Sequence, residues 1–142
     1  MNYFTSVKST PFLKDFMLLV VRVFVGFAML THGYPKLETL LSGEEVQFYN
    51  FMGLGAQFSL ILTVFAEFVC SIFLILGLFT RWASFFLAFT MIIAGLIVHC
   101  SDPFEKKELS LLYLCVYLLI FTLGPGKYSV DGMISKKKNS DW

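Results

Sequence analysis

Charge is scarce in this sequence: only 15% of its 142 residues are Asp, Glu, Lys or Arg, and the formal net charge is +1. No basic stripe interleaves with aromatics, so the footprint of a protein that tracks a phosphate backbone is missing and nucleic acid is excluded as a partner. Cysteine is sparse too. Cys70, Cys100 and Cys115 fall inside or at the ends of apolar runs, with no C-x-x-C and no zinc spacing, and read as small buried hydrophobes. There is no Ser-His-Asp arrangement, phosphate-binding loop or dinucleotide fingerprint. The only imidazoles are His32 and His99, with no third or fourth ligand at metal spacing, so no metal site is expected. The first apolar stretch lacks a small-residue cleavage site after it and reads as a retained helix.

What the chain has in abundance is apolar and aromatic residues, 57% and 18%, and a soluble domain this small would have too little polar surface to stay dispersed. The expected class is an all-α integral membrane protein with the lipid bilayer as its surroundings. A spanning helix needs about 20 apolar residues to cross a hydrocarbon core of about 30 Å. Four segments qualify: residues 16–32, interrupted by Arg22 and stopped by Gly33-Tyr34-Pro35; 58–79, around the lone acid Glu67; 82–99, close enough behind the second to form a hairpin; and 109–123, ending at Gly124-Pro125-Gly126. Together they predict a single domain over residues 1–142, a four-helix transmembrane bundle. In the long connection 33–57, Val46, Phe48, Phe51, Met52 and Leu54 among polar neighbours predict a short interfacial helix. Basic residues resist translocation. With both termini cytoplasmic, that side holds Lys8, Lys14, Arg81, Lys127, Lys136, Lys137 and Lys138, against Lys36, Lys106 and Lys107 outside. The Lys136–Lys138 run reads as a solvated topology determinant that also favours anionic lipid.

An ionisable group inside a membrane costs about 2.5–3.5 kcal/mol on insertion scales and therefore turns inward and pairs. At about 1.5 Å per residue, Arg22 and Glu67 lie at heights that two extended side chains can bridge, which predicts an interior ion pair or a shared polar cavity. Two alternatives stay open: the pair only fixes helix register, or Arg22 snorkels to the inner surface. On the outer side, the topology brings His32, Lys36, His99 and Glu108 to one leaflet. Arg22, Gly26, Met29, Gly33 and Lys36 recur at steps of four, three, four and three, tracing one helix face on which Gly26 and Gly33 admit a neighbouring helix or a flat ligand. His32 and His99 with Glu67 have the chemistry to hydrogen-bond the two carbonyls of a quinone and relay its protons. The candidate cavity comprises Arg22, Gly26, His32, Gly33, Lys36, Glu67, His99 and Glu108, with no catalytic residue assigned. Tyr113 and Tyr117, one turn apart on the fourth helix, read as packing residues, with lining of the same cavity as the alternative.

These residues resemble the DoxX family of small four-helix inner-membrane proteins over nearly the whole chain. Arg22 through Gly26 to His32-Gly33-Tyr34-Pro35-Lys36-Leu37 is similar to the family's arginine, glycine and H-G-x-x-K-L. Glu67 with Gly77-Leu78-Phe79-Thr80-Arg81 resembles its acid and G-L-x-T-R. His99, Glu108 and Gly124-Pro125-Gly126-Lys127-Tyr128-Ser129-Val130-Asp131 resemble its late histidine, acid and G-x-G-x-Y-S-x-D. The resemblance implies a protein of the inner (plasma) membrane whose relatives include membrane subunits of thiosulfate:quinone oxidoreductases and partners of redox enzymes. The leading expectation is a redox-associated subunit that binds a quinone or similar lipid-soluble molecule in the outer half of the bundle. A second expectation is a non-enzymatic scaffold or assembly factor for a partner protein, with homo-oligomerisation a further form of association. Transport of a small solute is a third, thinner reading, because no inverted repeat is detectable.

Overall fold

A backbone that crosses lipid must satisfy its own N–H and C=O groups, and continuous helices do so without outside partners. The computed structural model describes residues 10–43 and 47–140, with side chains through Lys137. Among them five helices follow in order: α1 (Pro11–Ser42), α2 (Ala56–Leu76), α3 (Thr80–Val98), α4 (Phe104–Leu123) and α5 (Val130–Ser140). The first four run antiparallel, each packed on its neighbours in the chain, and α1 touches α4 to close the bundle. The core is formed by Val25 and Met29 of α1, Cys70 and Leu74 of α2, Leu87 of α3 and Tyr117 of α4.

Polarity is inverted relative to a soluble fold. Arg22, Glu67, Ser71, Thr80 and Ser84 are buried, while Phe24, Phe27, Trp82, Phe85, Phe89 and Leu119 face outward. An exterior this apolar belongs in lipid, and α2 and α3 are each long and apolar enough to cross a membrane.

α1 departs from expectation. Helix 16–32 was to stop at Gly33-Tyr34-Pro35, yet α1 continues to Ser42 and ends only where Gly43 turns left-handed, at φ 70°. Proline inside a helix forfeits one intrahelical hydrogen bond, but here contacts with α2 hold the following turn in place. The expected stripe is therefore continuous, with Leu18, Arg22, Val25, Gly26, Met29 and Gly33 buried on one face.

The other boundaries shift for local reasons. α2 ends at Leu76, three residues short of expectation, because Gly77 at φ 70° closes it with bonds from Gly77 N to Leu74 O (3.2 Å) and from Leu78 N to Phe73 O (2.9 Å), a Schellman ending. α4 starts at Phe104, straight after Pro103, so that Glu105, Lys106, Lys107 and Glu108 form its polar first turns. α2 and α3 each contain a widened π-type stretch, Phe65–Val69 at the middle of α2 and Ile93–Val98 at the end of α3 distant from the termini. The short helix expected in the first connection is one 3-10 turn, Phe51–Gly53, with positive φ inside it at Met52 and Gly53 and just after it at Gly55. Val46, assigned to that helix, lies outside the described residues, as do Glu44 and Glu45.

α5 had no counterpart among the expected elements. It is fastened to the end of the bundle that carries the termini: the Asp131 carboxylate accepts hydrogen bonds from Phe79 N (2.9 Å) and Thr80 N (2.8 Å), capping α3 from a distant part of the chain. Asp131 N in turn donates to Gly77 O at 2.9 Å.

Candidate functional site

A carboxylate in the middle of an apolar helix is tolerated when a cation comes to it. Glu67 is 3% exposed and sits in the widened stretch of α2. Its partner is Lys36, whose Nζ lies 2.6 Å from each carboxylate oxygen. Gly33 makes the approach possible: a Cβ there would fall 2.8 Å from the carbonyl carbon of Glu67 and 2.9 Å from its oxygen, so no other residue lets α1 lie this close to α2. The Lys36 side chain is 32% exposed. Its ammonium has three donors, two of them occupied by Glu67, which leaves the third for a ligand.

Arg22 does not take part. It is buried at the opposite end of the bundle, where its guanidinium donates to Pro125 O and, at 2.7 Å, to Tyr128 O. The expected Arg22–Glu67 pair is therefore corrected to Lys36–Glu67. The height estimate ended the first helix at His32 and so put Lys36 in a loop, leaving Arg22 as the nearest helical cation. Arg22 reaches the end that carries the termini without meeting Glu67, as the second alternative has it, but its guanidinium is buried against the 124–129 connection. Gly26 also serves packing: a Cβ there would meet Ile75 Cγ1 at 2.5 Å and Ser71 O at 3.2 Å.

His32, Lys36, Glu67 and His99 come together around one cavity of about 200 Å³, completed by Met29, Met91, Ala94, Leu109, Ser110 and Tyr113. Four of the eight expected site residues thus line a common void. Gly33 supports it from behind through Glu67, whereas Glu108 is exposed on α4 and does not line it, because α4 begins a turn earlier than expected and turns that side chain away.

The ring of His32 meets Tyr113 edge to face, with centroids 6.1 Å apart, and Tyr113 stacks on Tyr117 at 5.9 Å. Tyr113 is thus a wall of the cavity as well as a packing residue. Tyr117 is fully buried, and its hydroxyl has no partner among the described residues. On the other wall, His99 Nδ1 lies 2.7 Å from Asp102 Oδ2. That hydrogen bond, ahead of the fields of Lys106 and Lys107, holds the Asp102 carboxyl below the usual carboxylate range. With Nδ1–H donating to Asp102, Nε2 of His99 is left to a ligand. The cavity therefore offers an ammonium donor, two imidazoles and a buried carboxylate, a set that can hydrogen-bond carbonyl oxygens and exchange protons with them.

Sequence reasoning missed the Lys36–Glu67 pairing, although the signal was present: the helical stripe continued unbroken through Gly33 to Lys36, across the proline taken as a stop. It also missed Asp102 as the orienter of His99, and Ser110, for which no pattern pointed inward.

The model of the DoxX family matches residues 17–100, which cover most of α1, all of α2 and α3, and His32, Lys36, Glu67 and His99 of the cavity. The chain belongs to the DoxX family. Among its relatives, this DoxX protein is 28% identical over 131 residues to the inner membrane protein YqjF of Escherichia coli, covering 88% of this chain and 97% of that one. It is 29% identical over 131 residues to an uncharacterized protein of Haemophilus influenzae, covering 87% and 95% respectively. No solved structure matches the chain. Membership and fold agree: this is a helical membrane protein of the DoxX family.

Proposed function

We propose that this DoxX protein binds a quinone or similar lipid-soluble carbonyl compound in the cavity between α1 and α4, as a subunit or partner of an oxidoreductase in the inner membrane. The observation that carries this reading is the convergence of His32, Lys36, Glu67 and His99 on one void inside a lipid-facing bundle. A quinone ring has two acceptor oxygens. Lys36 and one imidazole supply donors to them, while Glu67 and the second imidazole take up or deliver the protons that accompany reduction. The relative named as an inner membrane protein supports the location. The Lys and Arg distribution supports cytoplasmic termini, with the cavity toward the outer leaflet. As in a mobile-carrier site, the electrons would come from the partner enzyme.

The test is titration of detergent-purified protein with a short-chain benzoquinone, followed by quenching of intrinsic tyrosine and tryptophan fluorescence. His32→Ala, Glu67→Gln and His99→Ala are each expected to weaken binding by about tenfold, the effect of losing roughly 1.4 kcal/mol. Unchanged affinity in all three variants removes this site.

A further inference from the structure

A second, larger void adjoins the polar cavity. It occupies about 540 Å³ between α2 and α3, within the range of about 300–1,000 Å³ typical of ligand sites. It exists because α3 packs mainly on the later part of α2, from the widened turn onward, while the first turns of α2 lean on α1. Phe65 and Phe86 meet edge to face across the gap, centroids 5.7 Å apart. Phe48 and Phe51 line it from the connection after α1, and Phe51 N is anchored to Ser59 Oγ at 3.0 Å.

Two features define what this cleft accepts. Its serine and threonine hydroxyls are already used by nearby backbone: Ser59 donates to Gly55 O (2.8 Å), Thr63 to Ser59 O (2.9 Å) and Thr90 to Phe86 O (3.0 Å). Apart from the residues at its polar edge and Tyr49, the rest of the wall is phenylalanine and aliphatic carbon, which suits an apolar occupant. That edge consists of Lys36, Glu67, Ala94 and His99, and the same four residues line the polar cavity, so the two voids adjoin at these residues.

We propose that the α2–α3 cleft holds a hydrocarbon chain covalently attached to the head group bound in the polar cavity. This rests on the head-group reading above and adds the class of ligand: a tailed amphiphile, not a bare ring. Bilayer lipid is as apolar as the cleft, so the cleft selects by shape and adds little affinity. Steric blocking is accordingly the informative perturbation.

Two benzoquinones with the same ring, one bearing a methyl group and the other a decyl chain, are titrated into wild type, Thr63→Phe and Thr90→Phe. These residues line the cleft and not the polar cavity. The expected result is a loss of about tenfold in decyl-compound affinity in each variant, with methyl-compound affinity held. Undiminished decyl binding in both variants, alongside good methyl binding, overturns the chain site and leaves the head-group site standing. Failure of the methyl compound to bind wild type instead overturns the head-group reading, and this inference with it. A second measurement needs no variant: a decyl benzoquinone with a diazirine at its chain end is photolysed on wild-type protein. Label on residues 58–66 and 85–98 is expected. Label elsewhere, or equal capture of a diazirine fatty acid that lacks the ring, overturns the proposal.

Discussion

Lys36 and Glu67 show what a single charge costs and gains inside an apolar bundle. Removing Lys36 leaves a carboxylate at 3% exposure without its cation. Lys36→Met is therefore expected to destabilise the protein by about 3 kcal/mol. The Lys36→Met, Glu67→Met double variant is expected to recover most of that loss, because replacing both partners leaves no buried charge behind. Thermal unfolding in detergent measures both, and a double variant no more stable than the single one contradicts the pairing. Gly33→Ala has a different mechanism. Its Cβ would collide with the Glu67 backbone, which cannot rotate away as a side chain does. The expected cost is about 1–3 kcal/mol, with loss of short-chain quinone binding as α1 is pushed off α2. At this scale the sequence was informative about residue identity and less so about partnership. Arg22 and Glu67 were recognisable as charges inside the membrane, and His32, Lys36 and His99 as polar groups sharing the outer leaflet. Which cation met which acid depended on whether α1 survived Pro35, and a proline's local cost is visible in sequence while the compensating contact with α2 is not.

Among the elements, the wide turns of α2 and α3 decide where the cavities lie. π-type turns recur at functional sites because the extra residue displaces a side chain from the regular helical face. Here Glu67 sits in one of them and His99 follows the other. Neither turn has a compositional signature, so neither was legible beforehand; the order of the first four helices and the glycine-bearing face of α1 were, because hydrophobic runs and helical periodicity encode them. α5 escaped notice because it is polar and short; Asp131 fastens it to Gly77, Phe79 and Thr80. Asp131→Ala removes the cap on α3 and is expected to cost about 1–2 kcal/mol. Short-chain quinone affinity should stay within about twofold, since the cap and the cavity share no residue. The connection between α3 and α4 carries a pH dependence. The Asp102 carboxyl is depressed by His99 in the folded protein, so its stabilisation is present above the unfolded-state value of about 3.9 and is lost as pH falls through the lower folded value. Wild type should exceed Asp102→Asn in thermal stability near neutral pH, and the difference should disappear in strong acid; a constant difference contradicts the linkage.

For the whole molecule, the organising fact is a polar void at one end and a hydrogen-bonded clamp at the other. The clamp of Arg22, Gly77 and Asp131 holds the end where the termini lie. It leaves the opposite halves of α2 and α3 room to diverge around a ligand. That division assigns the two halves of the family resemblance different work: the residues from Gly124 to Asp131 fasten the fold, while His32, Lys36, Glu67 and His99 face the space. The proposed orientation, with cytoplasmic termini, predicts that a phosphatase fusion after Lys138 is inactive while one inserted between Gly43 and Gln47 is active. The reverse pattern would invert the molecule and move the cavity to the inner leaflet. The central claim, a quinone-type ligand seated on the Lys36–Glu67 pair, is tested most directly by native mass spectrometry of the protein purified in mild detergent from quinone-containing membranes. Wild type should release one quinone per chain and Glu67→Gln should release almost none, at equal folded yield. Equal retention by both proteins, or a different bound molecule on each, would contradict it.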